Sequence, residues 1–231
     1  MSHLLKSTSS VDALLESGDW LIRNCDREGN GTRQYAETVA AAMTVLKDVA
    51  GNVTDAGKRR DAGYDAMRMA ETRLDDAVRS AFFSCRKYDW TAGSEKVLEK
   101  VFPGAVSTPV LKATWRRKEQ RVTMVLARLT EVAGDSGILT GAKEELARDF
   151  AGFTAARDAY EKSMLEYNRW NANGKLGRKK FAHGYNVVYY RACGEIGRTA
   201  ANRLFPSTQC ARKKSAEPEI LPVPEPIGTA A

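Results

Sequence analysis

The residues of this chain whose type and spacing best suit a chemical task are ten cations in two stretches, and the task is holding an anion. Lys112, Arg116, Arg117, Lys118, Arg121 and Arg128 fall within residues 109–134, where only Glu119 and Glu131 oppose them, a local excess of +4. Lys175, Arg178, Lys179 and Lys180 open residues 174–205, which with Arg191, Arg198 and Arg203 against Glu195 alone carry +6. The whole chain carries +7, so the remainder is slightly acidic. A surface polarised in this way suits an anionic partner better than uniform basicity would. The planar fork of arginine fits phosphate, and a nucleic acid or another polyanion is the partner it implies. The plainer use of the same residues is a charged, solvated helix face.

Other constellations are weaker. Glu71 with Asp75, and Glu145 with Asp149, are four residues apart and could work as acid and base if buried together; on exposed helices such pairs are solvated beside arginines. His3 and His183 are the only histidines, and neither belongs to a Glu-x-x-His pair or a zinc-type cluster. No nucleophile elbow accompanies His183. Cys25, Cys85, Cys193 and Cys210 lie far apart and read as free thiols of a reducing compartment. Gly29-Asn30-Gly31 lacks the spacing and lysine of a phosphate loop and reads as a turn. Phe82, Phe83, Tyr88 and Trp90 surround the basic pair Arg86 and Lys87. Such aromatics can stack on nucleobases, although capping a core is their commoner use. These residues assign no reaction, and the expectation is a non-enzymatic protein without metal or cofactor.

The elements that must carry these side chains read as helices. Residues 108–135 form one amphipathic stretch with Thr108 as N-cap, Pro109 in the first turn and Gly134 as the stop. Its seam is Leu111, Trp115, Val122, Val125, Leu129 and Val132, with Lys118 at the intervening position. Lys118 is expected at the edge, its methylenes on apolar neighbours and its ammonium in water. Before it come a helix capped by Ser9 or Ser10, one over about 33–50 capped by Thr32, and a second arm over about 54–88. That arm has the seam Tyr64, Met67, Leu74, Val78, Ala81 and Cys85, with Glu71 at an intermediate position. A short helix starting at Ser94 stops at Pro103-Gly104. After the central stretch a helix is expected over about 141–172, its seam interrupted by Arg157. Asn171–Gly174 then reads as a break, residues 175–180 as a basic connector, and 180–204 as the last helix.

Residues 39–52 echo 122–135, residues 59–67 loosely echo 156–164, and 100–108 echo 203–209. The three matches keep their order and predict two repeats, about 32–104 and 109–206. Prolines are missing from residues 1–102 and 110–205, which favours long helices. The expected fold is therefore all-α: an elongated bundle of two long helical hairpins, each closed by a terminal helix, within one domain over 1–205. An arm of about 30 residues spans roughly 45 Å. Residues 206–231 turn proline-rich and suggest an extended tail, in which Ile220, Leu221, Pro222, Val223 and Pro224 could dock in a partner's groove. No signal-like apolar run opens the chain, and no stretch approaches the 18 apolar residues of a membrane span. A cytoplasmic protein is expected, with two readings of its work: a scaffold or adaptor acting by protein contact, or a polyanion binder using the ten cations.

Overall fold

In a computed structural model the chain is all-α, with no strand among the residues described, 4–92, 96–134 and 136–206. In order the helices are α1 (Val11–Glu28), α2 (Arg33–Ala92), α3 (Val97–Val101), α4 (Thr108–Leu111), α5 (Trp115–Val132), α6 (Gly137–Ile196) and α7 (Arg198–Leu204). Two compact units divide the chain, one of residues 1–53 and 170–231, the other of residues 54–169. No helix among the described residues is long and apolar enough to cross a membrane.

The first unit begins at Ser10, whose hydroxyl accepts from the Ala13 N–H at 3.2 Å and caps α1. Leu14, Leu21 and Cys25 then fall on one face of α1 and are buried against Tyr35, Met43 and Leu46 of α2. Phe181, Tyr185 and Tyr189 of α6 and Leu204 of α7 complete this core. The α2 and α6 segments run antiparallel: Gly177 lies against Leu46 and Val49, and Gly174 against Val53. Asn186 holds the chain start in place by accepting from the Leu5 N–H at 2.8 Å and donating to the Leu5 carbonyl at 3.1 Å.

The second unit packs Met67, Leu74, Val78 and Cys85 of α2 against Val122, Val125 and Leu129 of α5 and Leu139, Leu146 and Phe153 of α6. Again the long helices run antiparallel, with Gly63 beside Tyr160, and Ser80 donating to Glu145 at 3.0 Å. The Asp89 carboxylate accepts from the N–H groups of Val97 at 2.8 Å and Leu98 at 3.0 Å, capping α3 against the end of α2.

Several expected boundaries move. Asn171–Gly174 and residues 175–180 are helical, and α6 passes through them. Glycine costs about 1 kcal/mol against alanine in a helix interior, but here it permits close approach. A Cβ on Gly174 would lie 3.0 Å from Val53 Cγ2. Helix α2 likewise continues through Gly51, because Leu46, Val49 and Val53 on either side are held by packing. Conversely, the stretch expected as one helix over 108–135 is broken between α4 and α5, where Thr114 is extended (φ −64°, ψ 156°). No glycine or proline marks that break. Val110 is only 7% exposed and enters the same core as Val122, so packing turns the chain there.

The echo between 39–52 and 122–135 does not describe equivalent elements. The first segment lies inside α2, whereas the second ends α5 at Gly134, whose φ is +44°. What recurs is a different order of lengths: an 18-residue helix precedes a 60-residue helix as α1 then α2, and again as α5 then α6. A short helix and a Phe-Pro pair, Phe102-Pro103 or Phe205-Pro206, follow each long one.

Candidate nucleic-acid interface

Lys118 leaves the set of candidate anion-binding cations. Its side chain is 2% exposed, and its Nζ lies 2.8 Å from Oε1 of Glu71 and 2.8 Å from Oδ1 of Asp75. The seam position expected to send its ammonium into water instead sends it to two acids on α2. Glu71 and Asp75, expected as a solvated pair, are 12% and 21% exposed and are occupied by this lysine. Arg68 adds a second cation to Glu71 at 2.9 Å. Burial alone would raise the Glu71 carboxyl. The hydrogen bond and charge of Lys118, helped by Arg68 and Trp115, outweigh burial and hold it below its ordinary value. A lone charge buried here would be costly; three groups of alternating sign satisfy one another.

Arg157, a third polar residue in a seam, is 17% exposed and pairs with Glu119 of α5, the neighbour of Lys118, and with Asp158. Two further cations of the expected basic face are used internally. Arg121 donates to the carbonyl of Pro109, and Arg128 Nη1 donates to the carbonyl of Val101 at 3.3 Å. Both guanidiniums therefore tie α5 to the segment that precedes it.

The remaining seven behave differently. Among the described residues Lys112, Arg116, Arg117, Lys175, Arg178, Lys179 and Lys180 make no ion pair, and six of them are exposed, Arg178 being half-buried. Lys112 caps the end of α4, and Arg116 and Arg117 stand in the first turn of α5, all in the second unit. Lys175, Arg178 and Lys179 are three and four apart on α6 in the first unit and so share a face. Gly174 and Gly177 face α2, and Arg178, four residues from Gly174, lies at the edge of that contact.

At the end of α2 the aromatic cluster separates into two roles. Phe82 and Tyr88 pack against the core of the second unit, as capping residues would. Phe83 and Trp90 do not: they are 60% and 91% exposed. Arg86 and Lys87 lie between them, also exposed and without an ion pair among the described residues. Together these four side chains border an open recess of about 970 Å³.

The other expected chemistry finds no assembly. Glu145 accepts from Ser80, and Asp149 pairs with Arg148 at 3.3 Å, so the two carboxylates are not brought together as a couple. His183 is exposed on α6. Cys25 and Cys85 are buried free thiols, and burial pushes Cys85 up to about 12. Among the described residues no group of three or more His, Cys, Asp or Glu is gathered for a metal ion. His3, Cys210 and the expected docking tail (Ile220, Leu221, Pro222, Val223 and Pro224) lie outside the described residues. No protein-family model, no curated protein and no solved structure matches this chain.

Proposed function

We propose that this chain is a non-enzymatic helical scaffold whose working surface is basic, and that it binds a polyanion, nucleic acid foremost. The observation that carries this reading is the division among the ten candidate cations. Lys118 is consumed by two acids, and Arg121 and Arg128 each spend a hydrogen bond on a backbone carbonyl, while Lys112, Arg116, Arg117, Lys175, Arg178, Lys179 and Lys180 have neither an acid nor a side-chain hydrogen bond among the described residues. Most other described arginines engaged in ion pairs sit beside an acid on their own helix, as Arg33 does with Glu37 and Arg191 with Glu195. Cations left without partners on helix faces supply the sequence-independent part of nucleic-acid affinity, through release of condensed counterions.

Fluorescence anisotropy of labelled random oligonucleotides, titrated with salt, tests the reading. The logarithm of affinity is expected to fall linearly with the logarithm of salt concentration. The double variant R116Q/R117Q and the triple variant K175Q/K179Q/K180Q should each flatten that slope by about one to three. Absence of binding at about 20 mM salt, where the electrostatic contribution is strong, would remove the polyanion reading. A protein–protein adaptor is the second reading, favoured by the proline-rich composition of residues 206–231. It predicts that deleting 207–231 abolishes a partner contact while oligonucleotide binding is kept.

A further inference from the structure

We infer that the end of α2 in the second unit is a site for single-stranded nucleic acid, with unpaired bases stacked on Trp90 and Phe83 and the phosphates between them on Arg86 and Lys87. This rests on the polyanion reading and goes beyond it, because none of these four residues belongs to the ten cations.

The four positions are spaced by three, one and three residues, so they occupy one face of the helix, cations between aromatics. Seven residues of helix rise about 10 Å, which separates the two rings enough for a base on each with the linking phosphates in between. Their exposure, 60% for Phe83 and 91% for Trp90, is what stacking requires and what core packing does not explain. Phe83 is also held in place. Its ring meets Phe82 edge-on at 5.8 Å, and Phe82 meets the buried Phe102 at 5.4 Å. A ring braced from the core loses little freedom when a base lands on it.

Charge complementarity points to an anion. Among the described residues Asp89 is the one acid bordering the recess, and its carboxylate is engaged with the N–H groups of Val97 and Leu98. Arg86 and Lys87 are left without an internal counterion among the described residues. The combination also selects the strand state. In a duplex the base faces are covered by their neighbours, so Trp90 and Phe83 would contribute nothing to duplex binding. An unpaired strand presents those faces, and stacking tolerates any sequence because every base has one. The recess is open, at about 970 Å³, which suits a polymer passing across it.

The test uses the full chain, with anisotropy of a labelled oligothymidine of about 12 nucleotides, the matching duplex and heparin as probes. All four side chains are on the surface, and circular dichroism checks that each variant keeps its helix content. F83A/W90A is expected to weaken oligothymidine binding at least about tenfold, while duplex and heparin affinities change less than about twofold. R86Q/K87Q should weaken oligothymidine binding and reduce its salt slope by about one. If F83A/W90A leaves oligothymidine affinity unchanged while the R116Q/R117Q variant lowers it, the stacking site is overturned and the polyanion reading survives. If no probe binds at about 20 mM salt, the polyanion reading itself falls. Binding of phosphatidylserine vesicles that is lost in F83A/W90A, without oligothymidine binding, would overturn the site in favour of a lipid surface.

Discussion

Leu14 and Lys118 hold the same place in their helices: each is the fourth residue of an 18-residue helix, and neither exposes more than 1% of its surface. At that place the first unit buries a leucine among apolar neighbours, and the second buries an ammonium group between two carboxylates. The two solutions have different energetics. The leucine gains from transfer out of water. The lysine must first lose its hydration and recovers it only through Glu71 and Asp75.

That contrast predicts an asymmetric mutational response. Lys118→Ala leaves two acids, 12% and 21% exposed, without their cation. It should destabilise the protein by about 3–5 kcal/mol, the range for removing one partner of a buried pair. Replacing the whole cluster by Lys118→Leu, Glu71→Met and Asp75→Leu should restore stability to the starting value or exceed it by about 1–4 kcal/mol. Urea unfolding of the three proteins decides the matter. A triple variant no more stable than Lys118→Ala would mean that the cluster does more than satisfy its own charges.

Acid sensitivity follows from the same contact. The Glu71 carboxyl titrates below its ordinary value of 4.5 in the folded chain. A carboxyl depressed on folding contributes stability that is fully present above the unfolded value and is lost as pH falls through the folded one. The wild-type protein should therefore exceed Glu71→Gln in stability at neutral pH, and the gap should close below about pH 4.5. Urea midpoints for both proteins between about pH 7 and pH 3 measure it. A gap that stays constant across this range would show that Lys118 does not hold the carboxyl ionised.

The helical class was legible because proline was confined to a few places and apolar residues recurred at three and four. The ion cluster was half legible. Lys118 and Glu71 each interrupted an apolar seam, and two opposite charges in two seams are a signal of pairing across helices. What hid it was reading each helix alone, in which a seam lysine is an edge residue. The continuous courses of α2 and α6 were hidden for another reason. Glycine and asparagine weaken a helix locally, and only the neighbouring helix at Gly174 and Gly177 decides that the segment stays helical. The exposure of Trp90 was illegible, since a tryptophan at a helix end has the same local sequence whether it caps a core or faces water.

Tyr185 gives a prediction of opposite sign to Lys118. The residue is about 1% exposed, and its hydroxyl has no hydrogen-bond partner among the described residues. The ring itself is well held, edge-on to Phe205 at 5.2 Å and tilted against Phe181 at 6.2 Å. Burying a hydroxyl without a partner costs about 1–3 kcal/mol, whereas the ring contacts need no oxygen. Tyr185→Phe keeps those contacts and removes the uncompensated group, so it should leave stability unchanged or raise it by about 1 kcal/mol. Tyr35 is the control. It is equally buried, but its hydroxyl donates to Glu195 at 2.5 Å, so Tyr35→Phe should destabilise by about 1 kcal/mol. Thermal unfolding of the two variants side by side reads the difference. Loss of stability in Tyr185→Phe comparable to that in Tyr35→Phe would reveal a partner for the Tyr185 hydroxyl.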